Sequence, residues 1–225
     1  MSNLPGSTAK KMDYIYRWQV HVYDVLRRYY LLGRNKLIAS LDLSTELVCE
    51  IGCGTGRNLV AMANRYPQAS FWGIEPSNVM IHYAQNKIIR SNLQNRITLI
   101  QGEAVSINSH DMLSNHTSQF DRIIFSYTLS MIQDVKKALD NALNNIRPGG
   151  YLHIIDFSDH AGFGRLTQLF HQRWLDIFSV HHNPEVYDYL QKQALISGGT
   201  CEIDYSPKHY YEIIRFQKGD DRVFF

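Results

Sequence analysis

Glu46-Leu-Val-Cys-Glu-Ile-Gly-Cys-Gly-Thr-Gly56 is the stretch on which the fold turns. Its first half is a short apolar run ending in glycine and reads as a buried strand. Its second half sets glycine at every second position, Gly52, Gly54 and Gly56, with Cys53 between the first two. A loop of this kind lets the backbone turn sharply and lets a ligand come close without Cβ clashes. From Arg57 to Arg65 the pattern is helical, and Tyr66-Pro67 ends it, because a residue before proline avoids the helical region. Strand, glycine turn and helix together open a parallel sheet whose ligands bind at the strand C-termini. The spacing here is G-x-G-x-G with Glu50 ahead of it, not the G-x-G-x-x-G of a dinucleotide site.

Outward from that unit, strand and helix alternate. Ala69 to Glu75 reads as a second strand, and Ser77 can cap a helix running to about Arg90. Arg96 to Gln101 is a third strand, residues 105–119 are a polar loop or weak helix, and Phe120 to Ser126 is a fourth strand. A helix from Asp134 to Ile146 is stopped by Arg147-Pro-Gly-Gly150, after which Tyr151 to Asp156 forms a fifth strand. Gly164 to Phe178 and Glu185 to Ile196 read as helices, and Thr200 to Tyr205 and Tyr210 to Phe216 as two closing strands. Five βα units followed by a hairpin imply an α/β protein with a mostly parallel sheet and one reversed strand.

The acidic residues follow the strand ends. Glu75 closes the second strand, where a carboxylate can accept hydrogen bonds from both hydroxyls of a ribose. Glu103 follows the third, where a carboxylate can accept from the amino group of adenine while the N–H of Ala104 donates to a ring nitrogen. Either acid alone reads as a solvated strand end; glycine loop, ribose acid and adenine acid in order do not.

This set resembles the class I S-adenosyl-L-methionine-dependent methyltransferases over about residues 46–157. Phe120-Asp-Arg-Ile-Ile-Phe-Ser126 is similar to that family's fourth-strand motif, and Arg147-Pro-Gly-Gly-Tyr-Leu152 to its turn before strand five. The resemblance implies a three-layer α/β/α Rossmann-like sheet of seven strands, order 3-2-1-4-5-7-6 with strand seven antiparallel. It implies S-adenosyl-L-methionine as cofactor, S-adenosyl-L-homocysteine as product and no metal. Glu50 would then orient the loop or the cofactor's amino group. Gly52, Gly54 and Gly56 would lie under its methionyl and ribose parts, with Cys53, Pro76, Met80, Ser126 and Tyr127 as further cofactor contacts. A sulfonium cation suits acidic and aromatic neighbours better than a cationic phosphate clamp.

Composition narrows the acceptor. The chain has 225 residues, 44% hydrophobic and 20% charged, which fits one soluble domain and excludes wholesale disorder. A net charge of +2 gives no reason to expect a nucleic-acid partner, and strand four ends Ser126-Tyr-Thr-Leu129 without an N-P-P-Y signature. Cys49, Cys53 and Cys201 are too scattered for a disulfide framework or zinc cluster and point to a reducing, cytoplasmic compartment. Asp156 and Asp159 imitate part of a metal-binding trio without completing it. No apolar run reaches the roughly 18 residues of a membrane span, and the start of the chain lacks the apolar core of a signal peptide.

The charge is uneven. Residues 1–40 hold seven Lys or Arg against two Asp, a net +5, which leaves −3 for the rest. Within them Ile15, Trp18, Val22, Val25, Leu26 and Tyr29 recur at helical spacing. Two readings stand: a helix packed on the domain with a solvated basic face, or one that also meets an anionic membrane at its inner surface. Residues 1–45 are thus a helical lid or membrane-facing segment, and 46–225 the methyltransferase domain.

His21-Val-Tyr-Asp24 and Arg27-Arg-Tyr-Tyr-Leu-Leu-Gly-Arg34 resemble the N-terminus of the betaine-lipid N-methyltransferases, as do Trp174-Leu-Asp-Ile-Phe178 and Tyr210-Tyr-Glu-Ile-Ile-Arg215. That resemblance implies trimethylation of the diacylglyceryl-homoserine amine, with an aminocarboxypropyl transferase supplying the substrate. Glu75-Pro76 stands where an Asp is common, and His182-Asn183 precedes Pro184, two departures from the pattern. Tyr23 and Tyr127 then flank the amine, because tyrosine faces suit a growing ammonium cation, and Asp24 or His160 takes its proton. Arg34 offers a bidentate partner to a carboxylate, either the cofactor's or the homoserine's. The alternatives are a methyltransferase of a soluble amine or quinone-type acceptor, and a cofactor-binding protein without catalysis.

Overall fold

The computed structural model describes residues 31–113, 119–162 and 183–220. Seven strands form one sheet in the order β3-β2-β1-β4-β5-β7-β6. The chain divides into two compact units at Glu103/Ala104.

The first unit holds α1 (Arg34–Ala39), β1 (Leu47–Ile51), α2 (Arg57–Arg65), β2 (Ser70–Glu75), α3 (Asn78–Arg90) and β3 (Ile97–Gln101). Its strands are parallel, with Glu50 opposite Gly73 and Glu75 opposite Gln101. Helices α2 and α3 each bury one stripe at three- and four-residue steps: Leu59, Met62 and Ala63 in α2, and Met80, Ala84 and Ile88 in α3. Each large side chain so buried contributes about 1.5–3 kcal/mol of transfer free energy. Ser77 caps α3, its hydroxyl accepting from Met80 N–H at 3.3 Å. Arg96, just before β3, closes the α2–β2 connection by donating to Ala63 O at 2.7 Å, Tyr66 O at 2.5 Å and Ala69 O at 2.8 Å. Tyr66 in turn donates from its hydroxyl to Ile38 O at 2.7 Å and so fastens α1.

The second unit holds α4 (Ser109–Met112), β4 (Phe120–Ser126), α5 (Val135–Asn144), β5 (Ile146–Phe157), α6 (Glu185–Ser197), β6 (Thr200–Tyr205) and β7 (Tyr211–Gln217). β5 runs parallel to β4 and antiparallel to β7, and β7 antiparallel to β6, so β7 is the reversed strand. Asp134 caps α5 by accepting from Lys137 N–H at 3.0 Å.

The sequence places the start of the fifth strand at Tyr151, behind a helix stop. The structure starts it at Ile146, paired with Phe120, and the register slips between Phe120 and Arg122. Arg147-Pro-Gly-Gly therefore sits inside the strand as an irregularity. Arg147 pairs with Asp121, and Gly149 takes φ +72°, where its N–H donates to Lys218 O at 3.0 Å. Among the described residues from 104 to 119 there are a short 3-10 turn, Ala104–Ser106, and the single turn of α4. The expected helix from Gly164 to Phe178 lies outside the described residues.

Candidate functional site

In the first unit the glycine loop bridges the ends of β1 and β2. Gly52 N–H and Cys53 N–H both donate to Ile74 O, at 2.7 and 3.1 Å. All three glycines have positive φ, +71°, +54° and +70°. Two of them are glycine for different reasons. A Cβ on Gly56 would stand 3.1 Å from the Ala84 Cβ of α3, so that glycine permits helix packing. A Cβ on Gly54 would meet nothing within 4 Å, so that glycine borders open space.

Two carboxylates frame this loop. Glu75 is buried, and its Oε2 accepts from Gly54 N–H at 3.0 Å while Oε1 accepts from Ser77 N–H at 3.0 Å. It thus fixes the loop to the start of α3. Glu50 is 1% exposed. Its Oε1 accepts from Asn58 Nδ2 at 2.7 Å, whereas Oε2 is buried and has no hydrogen-bond partner among the described residues. Burial pushes the Glu50 carboxyl up to about 7, against the hydrogen bond from Asn58 and the positive charges of Arg34 and Arg57. A buried carboxylate oxygen without a donor is costly, and a ligand ammonium is the group that would satisfy it.

Cys53 is buried, and a Cβ built on Gly73 would lie 2.8 Å from its Sγ, so the thiol fills the gap that Gly73 leaves under the loop. Burial holds that thiol well above its ordinary range, which keeps it protonated and inert. Met80 is 1% exposed and serves the core and the cap of α3; Pro76 accepts from Gln101 Nε2 at 3.2 Å. Arg34 donates from Nε to Leu31 O at 3.1 Å. Glu103 is exposed beyond the end of β3.

In the second unit, Ala104 O accepts from Asn141 Nδ2 at 2.9 Å, and Ser126 ends β4 with its carbonyl accepting from Thr128 Oγ1 at 3.2 Å. Tyr127 follows with φ +55°, buried, its N–H donating to Ile155 O at 2.7 Å. His160, at φ +56° and also buried, donates from its N–H to His209 O at 3.0 Å. Left-handed backbone is uncommon for residues with side chains, and such residues cluster at functional sites. Phe157 joins the two: its ring lies 4.7 Å from that of Tyr127 and 6.4 Å from that of His160. Tyr210 packs edge-on against both Phe157 and His160, at 5.9 and 5.4 Å. The structure thus brings Tyr127 and His160 into one aromatic cluster. Tyr23 and Asp24 lie outside the described residues.

Three groups here escaped the sequence reading in these roles. Asn58 holds Glu50, and its place on the first turn after Gly56 was the available signal. Asp156 and Glu212 stand opposite one another across β5 and β7, both buried. Asp156 is visible in sequence only as a fragment of a metal trio. Among the described residues no three His, Cys, Asp or Glu side chains converge to hold a metal ion, and no described helix is long and apolar enough to cross a membrane.

The first unit's residues fit the cofactor expected of them: a buried acceptor for an ammonium group at Glu50 and open space over Gly54. Comparison with known proteins points the same way. Residues 43–218 match the profile of a family described as a methyltransferase domain. The chain is 33% identical over 125 residues to a tRNA (guanine-N(7)-)-methyltransferase of Nocardia farcinica, covering 52% of this chain and 44% of that protein. It is 26% identical over 143 residues to a demethylmenaquinone methyltransferase of Lactobacillus johnsonii, covering 60% and 56%. The matched stretch therefore spans about half the length of these relatives. Among solved structures, an O-methyltransferase family protein of Burkholderia thailandensis superimposes with a TM-score of 0.68 at 14% identity, over 98% of this chain and 66% of that one. The magnesium protoporphyrin IX methyltransferase of Synechocystis, with bound SAH, gives 0.66 at 15% identity, over 95% and 100%. At these identities the likeness is one of fold.

Proposed function

The chain belongs to the methyltransferase-domain family, and from that premise we propose that it is an S-adenosyl-L-methionine-dependent N-methyltransferase. The observation that carries the reading is Glu50, whose buried Oε2 has no hydrogen-bond partner among the described residues beside the glycine loop. The cofactor, when bound, supplies an electrophilic methyl group on a sulfonium with a good leaving group. The chain's own part is to bind, orient and exclude water. Glu50 takes the ammonium of the methionyl part, Gly54 leaves room for the chain of atoms above it, and Glu75 takes the ribose while its two oxygens hold the loop to α3. Glu103 and Ala104 are the proposed adenine contacts.

For the acceptor we propose an amine, and specifically the head group of diacylglyceryl-homoserine, carried to its trimethylammonium form. The support is chemical. The strand ends of the second unit bring together the rings of Tyr127, Phe157, His160 and Tyr210. Aromatic faces favour a cation over an anionic acceptor. His160 is the described candidate to receive the amine's proton, Tyr23 and Asp24 being those of the N-terminal segment. The +5 of residues 1–40 supports docking of that segment on anionic lipid. A quinone-type acceptor is the second reading, favoured by the likeness to demethylmenaquinone methyltransferases.

The test is turnover with methyl-labelled cofactor on vesicles of phosphatidylglycerol carrying either diacylglyceryl-homoserine or a demethylated quinone. Label appearing in mono-, di- and trimethylated homoserine lipid is the expected result. Label in the quinone alone overturns the amine reading, and label in neither overturns both.

A further inference from the structure

The aromatic cluster of the second unit depends on a backbone turn, residues 127–131, that no helix or strand holds. Tyr127 starts it in the left-handed region, and Leu129–Met131 continue it as a 3-10 turn. Tyr127 N–H ties its start to β5 by donating to Ile155 O at 2.7 Å, and Met131 N–H closes the turn on itself by donating to Thr128 O at 3.0 Å. A side chain of β5 supplies a further tie. Asp156 Oδ2 accepts from Ser130 N–H at 3.2 Å, while its Oδ1 accepts from Phe157 N–H at 2.8 Å. One carboxylate thus spans the turn that carries Tyr127 and the strand residue whose ring packs on Tyr127. Asp156, Ser130 and Leu129 are 8%, 7% and 2% exposed, so the bond is shielded from bulk solvent.

We propose that Asp156 is a positioning residue for the acceptor side: ionised, it locks the Tyr127 turn onto the end of β5, and protonation releases it. The proposal rests on the reading above that Tyr127 meets the acceptor.

The surroundings make this lock sensitive to pH. Glu212 of β7 lies directly across from Asp156 in the strand register. Both carboxylates line one small cavity, closed from the side of α6 by Asn183 and Val186 and from the turn by Leu129. Among the described residues, Glu212 is the charged group facing Asp156 from β7; α6 and the turn present uncharged side chains. Burial pushes the Asp156 carboxyl up to about 6, the two backbone donors and Ser130 oppose this, and the charge of Glu212 adds to it. An ionised carboxylate can accept at both oxygens; a protonated one gives up acceptor capacity to its own O–H. Protonation therefore weakens one of two bonds that the charged form makes well.

The test needs no acceptor. Amide signals of Ser130, Phe157 and Tyr127 in the isotope-labelled full chain are followed by NMR from pH 5 to 8, with amide exchange measured at each end. In the parent chain, all three amides move with one midpoint near 6, and Tyr127 and Ser130 exchange several-fold faster below it. In Asp156→Asn the step disappears. In Glu212→Gln the midpoint falls, because a neighbouring negative charge is gone, and this variant decides the matter if Asp156→Asn does not fold. A step that survives Asp156→Asn, an unmoved midpoint in Glu212→Gln, or a Tyr127 amide indifferent to pH while Ser130 titrates each overturns the proposal. Calorimetric titration of the same samples with S-adenosyl-L-homocysteine is independent of these outcomes. Absent binding with the NMR step intact sinks the methyltransferase reading, and present binding with no step sinks the lock alone.

Discussion

Glu50 and Glu75 are both acids at strand ends beside the same loop, yet their environments divide the work. Glu75 spends its charge on two backbone N–H groups, Gly54 and Ser77, which is architecture, and the ribose contact proposed for it would come on top of that. Glu50 spends half of its carboxyl on Asn58 and keeps the other oxygen buried. Its raised value near 7 records the cost of that burial. A bound ammonium favours the ionised form, so by linkage cofactor affinity rises with pH through about 7 and levels off above it. Below that point the affinity falls by at most about tenfold per pH unit. Binding of S-adenosyl-L-methionine followed from pH 6 to 8 checks this: the parent should show the rise and Glu50→Gln a flat, weaker profile. A parent profile as flat as the variant's would mean that Glu50 does not meet the ammonium.

Among the elements, the first unit was legible because its signals are local. A strand, a glycine loop and a helix lie within twenty residues of one another, and their boundaries at Arg57, Arg65 and Ser77 follow from cap and breaker chemistry. Arg96 tests how much one side chain adds to that local order. It gathers three carbonyls of the α2–β2 connection and lies with its guanidinium 5.8 Å from the Phe71 ring centroid. Arg96→Met should keep the apolar stem and lose the donors, at a cost of about 3 kcal/mol. Urea unfolding of parent and variant measures it, and a loss below about 1 kcal/mol would mean that water replaces those bonds. What the sequence hid is long-range. Arg147-Pro-Gly-Gly carries every local mark of a strand break, yet pairing of Ile146 with Phe120 draws it into β5. The Asp156–Glu212 pair exists only through the antiparallel register of β5 and β7, and no window of sequence contains both. Asn58 was within reach of a local reading, but nothing in its spacing names Glu50 as its partner.

On the scale of the whole molecule, buried titrating groups pull stability in opposite directions with pH. Glu50 and Asp156 are raised, to about 7 and about 6, by burial first. Their contributions are fully present below the ordinary carboxylate range and are lost as pH rises through those values. His153 is buried and lowered to about 3, so its contribution is present above the ordinary imidazole value and is lost as pH falls below it. Between pH 7 and 5 the two carboxyls together gain more than His153 loses, so these three groups favour the folded state more at pH 5 than at pH 7. Comparison with Glu50→Gln isolates one of them. The parent should gain on the variant by up to about 2 kcal/mol between pH 8 and 5.5, the linkage of one group over roughly the lower part of that window. Chemical denaturation at the two pH values gives the difference, and a constant difference would show that Glu50 does not titrate there.

In the proposed function the loop of the first unit holds S-adenosyl-L-methionine between Glu50 and Glu75. Calorimetric titration of the full chain at pH 8 probes that binding, with the parent and Glu75→Ala titrated side by side against S-adenosyl-L-methionine and NAD. The expected result is one-to-one binding of S-adenosyl-L-methionine by the parent, weakened by about 1–3 kcal/mol in the variant, the scale for losing hydrogen bonds to a charged group, and no heat with NAD. Tight NAD binding with no heat from S-adenosyl-L-methionine, or equal affinities in the two proteins, would contradict it.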